Sequence, residues 1–129
     1  MKPLRVLVVD DELLIAEMMT EIIESLGHTV TRCTDSADAI GALEKKDHYF
    51  DLIVTDLSMP EHNGFDVITV AKALNSEVKA ILVTGHAFDE RVKRRVCELA
   101  CRLLGKPFDF ENLKTTIQEL FPDQPPGAR

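Results

Sequence analysis

Residues 4–12 read Leu-Arg-Val-Leu-Val-Val-Asp-Asp-Glu, in which four consecutive apolar residues are followed by three acids. Val6 to Val9 form an unbroken apolar stretch, which is typical of a β-strand buried on both faces. A helical pattern comes next, with apolar residues at spacings of three and four: Ile15, Met18, Met19, Ile22, Ile23 and Leu26. Gly27 then ends this helix as a left-handed C-cap would. The segment therefore predicts a buried strand followed by a helix that covers it.

The alternation of strand and helix continues to residue 121. Strands are predicted at residues 4–9, 29–33, 52–55, 78–83 and 102–104, and further helices at residues 36–45, 64–74, 88–99 and 110–121. This order favours an α/β fold, a single doubly wound (βα)5 domain whose five-stranded parallel sheet is covered on both faces. We expect that domain to occupy residues 1–121, and we expect the Pro-rich residues 122–129 to form a disordered tail or the start of a linker.

The composition limits what class of protein this is. The 129 residues carry a formal net charge of −7, and 45% of them are hydrophobic, which is ordinary for a globular domain. No apolar run exceeds four residues, so a transmembrane helix is not expected. An acidic domain is also not expected to bind nucleic acid directly. We expect a cytoplasmic location without membrane contact.

The cysteine pattern does not indicate a fold stabilised by disulfides or by a bound metal ion. The three cysteines include no C-x-x-C spacing, which indicates neither a disulfide framework nor a zinc site. Cys97 and Cys101 are interpreted as small buried hydrophobic residues.

Chemically reactive side chains stand at or just after the predicted strand ends. Asp10 and Asp11 follow the first strand, and Asp56 follows the third. Thr84 follows the fourth strand and Lys106 the fifth. The carboxyl ends of parallel strands share one edge of the sheet, and open α/β proteins bind ligands at that edge. We therefore expect carboxylates, a hydroxyl and an ammonium to meet there.

This combination of groups suits phosphoryl transfer. Two carboxylates about 4 Å apart repel by about 4 kcal/mol at an effective dielectric constant of 20, so a cluster of them needs a cation, and Mg²⁺ prefers such oxygen ligands. Lys106 suits a phosphoryl oxygen, and Gly85 lets a backbone N–H approach an anion closely. Taken singly, an aspartate after a strand is usually a helix N-cap and a loop lysine is usually solvated. Their joint occurrence favours a carboxylate nucleophile that forms an acyl phosphate.

Four motifs in this order resemble the receiver domains of two-component response regulators. They are Val-Val-Asp-Asp-Glu at residues 8–12, Thr-Asp-Leu-Ser-Met-Pro at 55–60 with Gly64 following, Val-Thr-Gly at 83–85 and Lys-Pro-Phe at 106–108. The resemblance covers residues 4–121 and is to regulators of the chemotaxis type. It implies the flavodoxin-like strand order 2-1-3-4-5.

The resemblance implies roles for the residues that would handle the phosphoryl group. Asp56 would accept it from a phosphohistidine on a sensor histidine kinase or a histidine phosphotransfer protein. Lys106 and Thr84 would contact the transferred group. The backbone N–H groups expected to bind it belong to Leu57, Ser58 and Gly85.

The same resemblance implies a resident metal ion, Mg²⁺, with Mn²⁺ as an alternative. Its expected direct ligands are the carboxylates of Asp11 and Asp56 and the backbone carbonyl of Ser58, and Asp10 is expected to bind it directly or through a water. The bond between Lys106 and Pro107 is expected to be cis. Phosphorylation adds about −1.5 to −2 charge and is expected to switch the surface of the fourth helix, fifth strand and fifth helix. A downstream effector of unspecified identity, or a second copy of the chain as a homodimer, would bind that surface.

One position departs from the family pattern. The residue three before the lysine is usually Tyr or Phe in the family, and here it is Leu103. We expect Leu103 to fill the strand face, and its consequence for signalling stays open. Phosphorylation itself is not expected to depend on it.

Three other functions fit the sequence less well. A small-molecule aspartyl-phosphate phosphatase usually carries a second Asp where Ser58 stands, and a nucleotide-binding module carries a glycine-rich phosphate loop that is absent here. A receiver that has decayed into a docking module would lack one of the expected acids, Thr84 or Lys106. We therefore expect a domain that phosphorylates and dephosphorylates itself rather than a turnover enzyme.

Overall fold

The computed structural model describes residues 3–45 and 49–122, so the predicted tail beyond Pro122 lies outside the described residues. Strands and helices alternate in the order β1 (Arg5–Val9), α1 (Leu13–Ser25), β2 (Thr29–Cys33), α2 (Ser36–Glu44), β3 (Leu52–Asp56), α3 (Gly64–Leu74), β4 (Lys79–Thr84), α4 (Glu90–Glu98), β5 (Arg102–Gly105) and α5 (Phe110–Leu120). Each predicted strand and helix is present, with small shifts in its bounds.

The strands form one five-stranded parallel sheet in the order β2-β1-β3-β4-β5. This is the predicted doubly wound α/β order, so the prediction of fold class is confirmed. From β2 the chain returns past β1 to β3, so the strand order reverses between β1 and β3. Clefts at such a reversal, beyond the carboxyl ends of the strands, are where open α/β sheets bind ligands.

The central strands are buried on both faces, as their unbroken apolar sequence predicts. Along β1, Val6 and Val8 pack into the core layer that α1 and α5 cover. Leu7 and Val9 pack into the opposite layer, which α2, α3 and α4 cover. Burial of one such side chain contributes about 1.5–3 kcal/mol. The two layers therefore fix the strands, and with them the positions of the residues at the strand ends.

The start of α4 differs from the predicted start at residue 88. The helix begins at Glu90 because Asp89 is its N-cap, and the Asp89 carboxylate accepts a hydrogen bond from the Arg91 N–H at 2.8 Å. Phe88 precedes the cap and is 89% exposed. The apolar side chain of Phe88 extended the helical pattern in the sequence without belonging to the helix.

Two smaller predictions have different outcomes. Gly27 has a φ of 96°, which confirms the left-handed end of α1. Cys101 is buried, but Cys97 is exposed on α4, so the interpretation of Cys97 as a buried residue is wrong. No helix within the described ranges has the length and apolar character needed to cross a membrane.

Candidate functional site

The strand ends bring together residues that are distant in sequence. Val9 of β1 lies opposite Thr55 of β3, so the residues that follow them, Asp10 and Asp56, are neighbours at the edge of the sheet. Lys106 follows β5, and its Nζ lies 3.0 Å from Asp56 Oδ1 and 3.4 Å from Asp10 Oδ2. The geometry thus places an ammonium against two carboxylates at this edge.

Three carboxylates form a compact acidic cluster. One carboxylate oxygen from each of Asp10, Asp11 and Asp56 lies within 4.8 Å of the other two. Asp10 and Asp56 are buried whereas Asp11 is exposed, so the cluster opens to solvent on one side. Burial raises the pKa of Asp10 and the charge of Asp56 adds to the rise, while the Glu12 N–H and the Lys106 ammonium offset only part of it. The cluster carries more negative charge than Lys106 neutralises.

Lys106 is held as a cation by its acidic neighbours. Burial is the largest single influence and lowers the pKa of the ammonium, but the hydrogen bond to Asp56 and the charges of Asp10 and Asp56 outweigh burial and raise that pKa. Glu12 lies farther out, with its Oε1 3.9 Å from Nζ. The side chain of Lys106 is half-buried, which leaves the ammonium accessible to an incoming anion.

The donor set of this cluster fits a hard divalent cation. Carboxylate oxygens are the ligands that Mg²⁺ prefers, and Mg²⁺ is commonly bound by one or two carboxylates together with waters. The acids of the cluster exceed the positive charge beside them, so a divalent ion would remove a repulsion that the side chains leave standing. The exposure of Asp11 leaves room for the waters such an ion keeps.

The backbone N–H groups beside the cluster differ in availability. Ser58 and Gly85 are exposed, and the described part of the chain provides no acceptor for either N–H. The Leu57 N–H instead donates to the Val83 carbonyl oxygen at 3.0 Å, which continues the pairing of β3 with β4. The expectation that the Leu57 N–H binds a phosphoryl group therefore disagrees with the structure, because that N–H is already paired.

Thr84 and Leu103 lie where the sequence predicts, at the end of β4 and within β5. Thr84 is buried, and its Oγ1 accepts a hydrogen bond from the His86 N–H at 3.0 Å. The hydroxyl proton of Thr84 has no acceptor among the described residues and is free for donation. Leu103 packs into the layer that contains Val92 and Val96 of α4, so it fills the strand face as expected.

Gly64 lets the start of α3 lie directly against the backbone of the acidic cluster. A Cβ at Gly64 would overlap the carbonyl oxygen of Asp56, so only glycine fits there without movement of the chain. The Gly64 N–H donates to the Leu57 carbonyl oxygen at 2.9 Å. Gly64 follows the motif at residues 55–60 in the sequence, and the reason for a glycine there is this contact in the tertiary structure.

An apolar pocket borders the cluster on the side of α1. Its volume is about 380 Å³, and it is lined by Ile15, Met18, Lys106, Pro107 and Phe108. The Lys106–Pro107 bond is cis, as the resemblance implies. On the same helix as Ile15, Leu13 and Leu14 are 52% and 79% exposed. The ammonium of the site therefore stands beside an open apolar surface on α1.

Residues 6–118 match the family model of the response regulator receiver domain. The match covers most of the chain, so the chain belongs to this family and is a receiver domain of two-component systems. Receiver domains interact with histidine kinases and generally use Mg²⁺. The acidic cluster of this chain is a place where such an ion could bind.

The similar curated proteins include a sensor kinase and response regulators. The chain is 28% identical over 119 residues to sensor kinase CckA of Brucella abortus, covering 92% of this chain and 13% of the kinase. It is 27% identical over 117 residues to two-component response regulator ARR12 of Arabidopsis thaliana, covering 91% of this chain and 20% of that protein. Transcriptional regulatory protein ZraR of Escherichia coli K12 is 26% identical over 114 residues, 88% of this chain and 25% of ZraR. The chain thus spans a quarter or less of these relatives.

Solved structures of receiver domains have the same fold. Chemotaxis response regulator CheY4 of Vibrio cholerae superposes with a TM-score of 0.82 at 24% identity, covering 92% of this chain and 99% of that chain. A CheY-like receiver domain from Methylobacillus flagellatus gives a TM-score of 0.80 at 26% identity, again over 92% and 99% of the two chains. The resemblance to response regulator receivers and the flavodoxin-like fold are both confirmed.

Proposed function

We propose that this receiver domain is switched by phosphorylation of Asp56. The donor is a phosphohistidine on a sensor histidine kinase or a histidine phosphotransfer protein, and the reaction depends on Mg²⁺, with Mn²⁺ as an alternative. The observation that carries the proposal is the contact of the Lys106 ammonium with Asp56 Oδ1 at 3.0 Å inside a cluster of three carboxylates. A nucleophilic carboxylate beside a cation is the arrangement that acyl-phosphate formation needs.

The proposed step forms one bond and breaks another. A carboxylate oxygen of Asp56 attacks the phosphorus, the P–N bond to the donor histidine breaks, and its electron pair stays on the imidazole nitrogen. The product is an acyl phosphate on Asp56. Attack of water on the phosphorus later returns the carboxylate and inorganic phosphate, so the domain phosphorylates and dephosphorylates itself without acting as a turnover enzyme.

The groups around Asp56 would bind the transferred phosphoryl oxygens. The Lys106 ammonium already faces the nucleophile and would contact a phosphoryl oxygen once the bond forms. The N–H groups of Ser58 and Gly85 and the hydroxyl proton of Thr84, which have no acceptor within residues 3–45 and 49–122, would donate to the same group. Donors that are positioned before the reaction stabilise the charge that develops on these oxygens.

The metal ion would be held at the cluster of three carboxylates. The carboxylates of Asp10, Asp11 and Asp56 and the backbone carbonyl of Ser58 would be its ligands. When bound, Mg²⁺ supplies positive charge that offsets the carboxylates and the phosphoryl oxygens. The excess of acids over ammonium groups in the cluster supports this assignment.

The apolar surface beside Lys106 would receive the phosphodonor. The pocket against α1 adjoins the ammonium, and Leu13 and Leu14 extend the apolar surface outward. Contiguous exposed apolar surface is a feature of protein interaction sites. A donor helix seated there would bring its phosphohistidine to the edge of the sheet.

The consequence of phosphorylation would pass through Thr84 to the surface of α4, β5 and α5. Thr84 ends β4, and its present contact with His86 lies in the loop that leads into α4. A new bond from Thr84 to the phosphoryl group would bias that loop, since packed elements switch between discrete arrangements. We propose this surface as the docking site of the downstream effector or of a second copy of the chain.

We assign the receiver function to residues 1–121 and treat residues 122–129 as a tail or linker. A cytoplasmic location, without direct binding of nucleic acid or membrane by this domain, belongs to the same proposal. Three of the basic residues of α4 pair with neighbouring acids, which limits their use against phosphates. These pairs join Arg91 to Asp89, Lys93 to Glu90 and Arg95 to Glu98.

Incubation with Mg²⁺ and a small acyl-phosphate donor, followed by intact mass measurement, tests the proposal. The wild-type protein is expected to gain one phosphate, and Asp56→Asn is expected to gain none. Asp38→Asn, at an exposed aspartate of α2, is the matched control and is expected to react like the wild type. A gain of phosphate by Asp56→Asn would place the acceptor elsewhere, and no gain by the wild type would refute the proposed function.

A further inference from the structure

Ser36 ties the loop between β3 and α3, residues 57–63, to the start of α2. It is the first residue of α2 and only 3% of it is exposed. Its hydroxyl donates to the Pro60 carbonyl oxygen at 2.9 Å and accepts a hydrogen bond from the His62 N–H at 3.3 Å. Both partners belong to the loop. The Ser36 hydroxyl therefore bonds both ends of one turn, Pro60 as a donor and His62 as an acceptor.

That turn holds a strained backbone conformation. Glu61, between the two arms, has a φ of 69°, which is uncommon for a residue other than glycine. The His62 N–H also donates to the carbonyl oxygen of Pro60, two residues earlier, at 2.8 Å. Residues 60–62 therefore form a γ-turn. A γ-turn with positive φ is rare and strained. Such conformations persist where the surroundings hold them, and Ser36 supplies two of the hydrogen bonds that do so.

The strained loop carries backbone groups of the proposed site. Ser58 lies two residues before Pro60, and its N–H and carbonyl are the groups assigned to the phosphoryl group and the metal. At the other end, the loop is closed by the Gly64 N–H on the Leu57 carbonyl oxygen at 2.9 Å. Ser58 is thus held between the end of β3 and the turn that Ser36 clamps.

The Ser36 hydroxyl and the turn at residues 60–62 that it holds also lie next to the acidic cluster. A cleft of about 210 Å³ runs between them, lined by Asp11, Thr34, Asp35, Ser36, Pro60 and Glu61. Asp11 belongs to both the cleft and the cluster. A shift of the loop at Pro60 would therefore change the site on the side where Asp11 and Ser58 stand.

We propose that Ser36 is a positioning residue for the phosphoryl-transfer site. Through Pro60 and His62, its hydroxyl holds the loop in the one arrangement in which Ser58 presents its N–H and its carbonyl to the site. Ser36 itself contacts none of the reacting groups. The kinetic part of this inference rests on the proposed phosphorylation of Asp56, whereas the effect on metal affinity rests on the proposed metal site and not on phosphorylation. A misplacement of about 1 Å in a positioned group is enough to slow a reaction substantially.

Substitutions at Ser36 separate the hydroxyl from the rest of the side chain. Ser36→Ala removes both hydrogen bonds, and Ser36→Thr restores the hydroxyl. Ser25→Ala is the matched control, because the Ser25 hydroxyl is exposed and its acceptor in the described part of the chain is the Ile22 carbonyl oxygen within α1. With a small acyl phosphate and saturating Mg²⁺, Ser36→Ala is expected to be phosphorylated about fivefold more slowly, the factor that matches about 1 kcal/mol for a lost hydrogen bond. Ser36→Thr and Ser25→Ala are expected to react like the wild type.

Two further measurements distinguish positioning from a general loss of stability. Calorimetric titration of the unphosphorylated proteins with Mg²⁺ is expected to give a dissociation constant about threefold or more higher for Ser36→Ala. Amide hydrogen exchange at His62 is expected to quicken in this variant while exchange in β1 stays unchanged. A purely structural role would lower the urea midpoint and leave the Mg²⁺ affinity of the folded protein as it was.

The proposal would be overturned if Ser36→Ala were phosphorylated at the wild-type rate and bound Mg²⁺ with the wild-type affinity. It would also be overturned if Ser36→Thr did not restore the rate and the affinity. Should Ser36→Ala not fold, Ser36→Cys is judged by the same criteria, since a thiol keeps the volume but hydrogen-bonds weakly. If the wild type gains no phosphate, the function proposed for Asp56 fails. The Mg²⁺ affinities of the same variants then still decide whether Ser36 positions Ser58.

Discussion

Asp10→Asn is expected to stabilise the metal-free protein and to weaken its response to Mg²⁺. The Asp10 side chain is fully buried, and it lies in one cluster with Asp56 and 3.4 Å from the Lys106 ammonium. Its Oδ1 accepts the Glu12 N–H at 2.9 Å, a bond that an asparagine oxygen can keep. The substitution therefore removes a charge and leaves the shape and that hydrogen bond in place.

The charges around Asp10 nearly cancel, so burial decides the sign of the effect. An Asp56 carboxylate oxygen lies within 4.8 Å of one of Asp10, so at an effective dielectric constant of 20 their repulsion is at least about 3.5 kcal/mol. Attraction to Lys106 at 3.4 Å is about 5 kcal/mol on the same basis, and Asp11 adds a repulsion that its exposure weakens. Burial of the carboxylate is the largest influence and raises the pKa of Asp10, and the hydrogen bond from the Glu12 N–H offsets only part of it. We expect the free energy of unfolding to rise by about 1–3 kcal/mol in Asp10→Asn.

The raised pKa of Asp10 also sets the sign of a pH dependence. Its folded-state pKa lies above the reference value of 3.8, so the folded protein binds this proton more tightly than the unfolded chain does. The contribution of Asp10 therefore lowers stability as the pH rises from 3.8 through the folded-state pKa, and the loss is complete above it. Asp10→Asn lacks this loss, so its free energy of unfolding exceeds that of the wild type by the largest amount at neutral pH.

Urea unfolding at pH 7, with EDTA and with excess Mg²⁺, measures both effects. The wild type is expected to gain stability from Mg²⁺, by about 2.7 kcal/mol at a hundredfold excess over the dissociation constant, and Asp10→Asn is expected to gain less. Asp38→Asn is the surface control and is expected to stay close to the wild type in both conditions. A midpoint of Asp10→Asn below that of the wild type in EDTA would refute the argument from burial, and an equal gain from Mg²⁺ would remove Asp10 from the metal site.

Two further predictions concern stability alone. Burial lowers the pKa of His28, and its Nδ1 accepts a hydrogen bond from the Leu4 N–H at 3.1 Å, which protonation would break. The free energy of unfolding should therefore fall as the pH drops below 6.5, by up to about 1.4 kcal/mol per pH unit. Denaturation curves at pH 7.5 and 5.5 should show a smaller fall for His28→Asn than for the wild type. An equal fall in the variant would assign the effect to other groups. Gly64→Ala should cost about 2–4 kcal/mol in urea unfolding, because its Cβ would overlap the Asp56 carbonyl oxygen. Gly41→Ala, where a Cβ meets open space in α2, should gain about 0.5–1 kcal/mol, and equal effects at the two glycines would contradict the contact.

Much of the fold follows from patterns that are local in the sequence. The apolar run from Val6 to Val9 predicts a strand covered on both faces, and the helical spacing after it predicts one of the covers. The N-cap at Asp89 was also present in the sequence, but Phe88 extended the apolar pattern across it. Apolar character alone does not tell whether a residue lies inside a helix or in the loop before it, because that depends on which N–H groups the cap satisfies.

The sequence by itself determined that Asp10, Asp56 and Lys106 would meet, because the carboxyl ends of parallel strands share one edge whatever the details of packing. Only the tertiary structure decided that the Leu57 N–H is already paired and that the Ser36 hydroxyl holds the neighbouring loop. Both facts depend on distances of about 3 Å between segments that are far apart along the chain. A hydrogen bond forms or fails within a few tenths of an ångström, and no spacing of residues in the sequence encodes a distance that small.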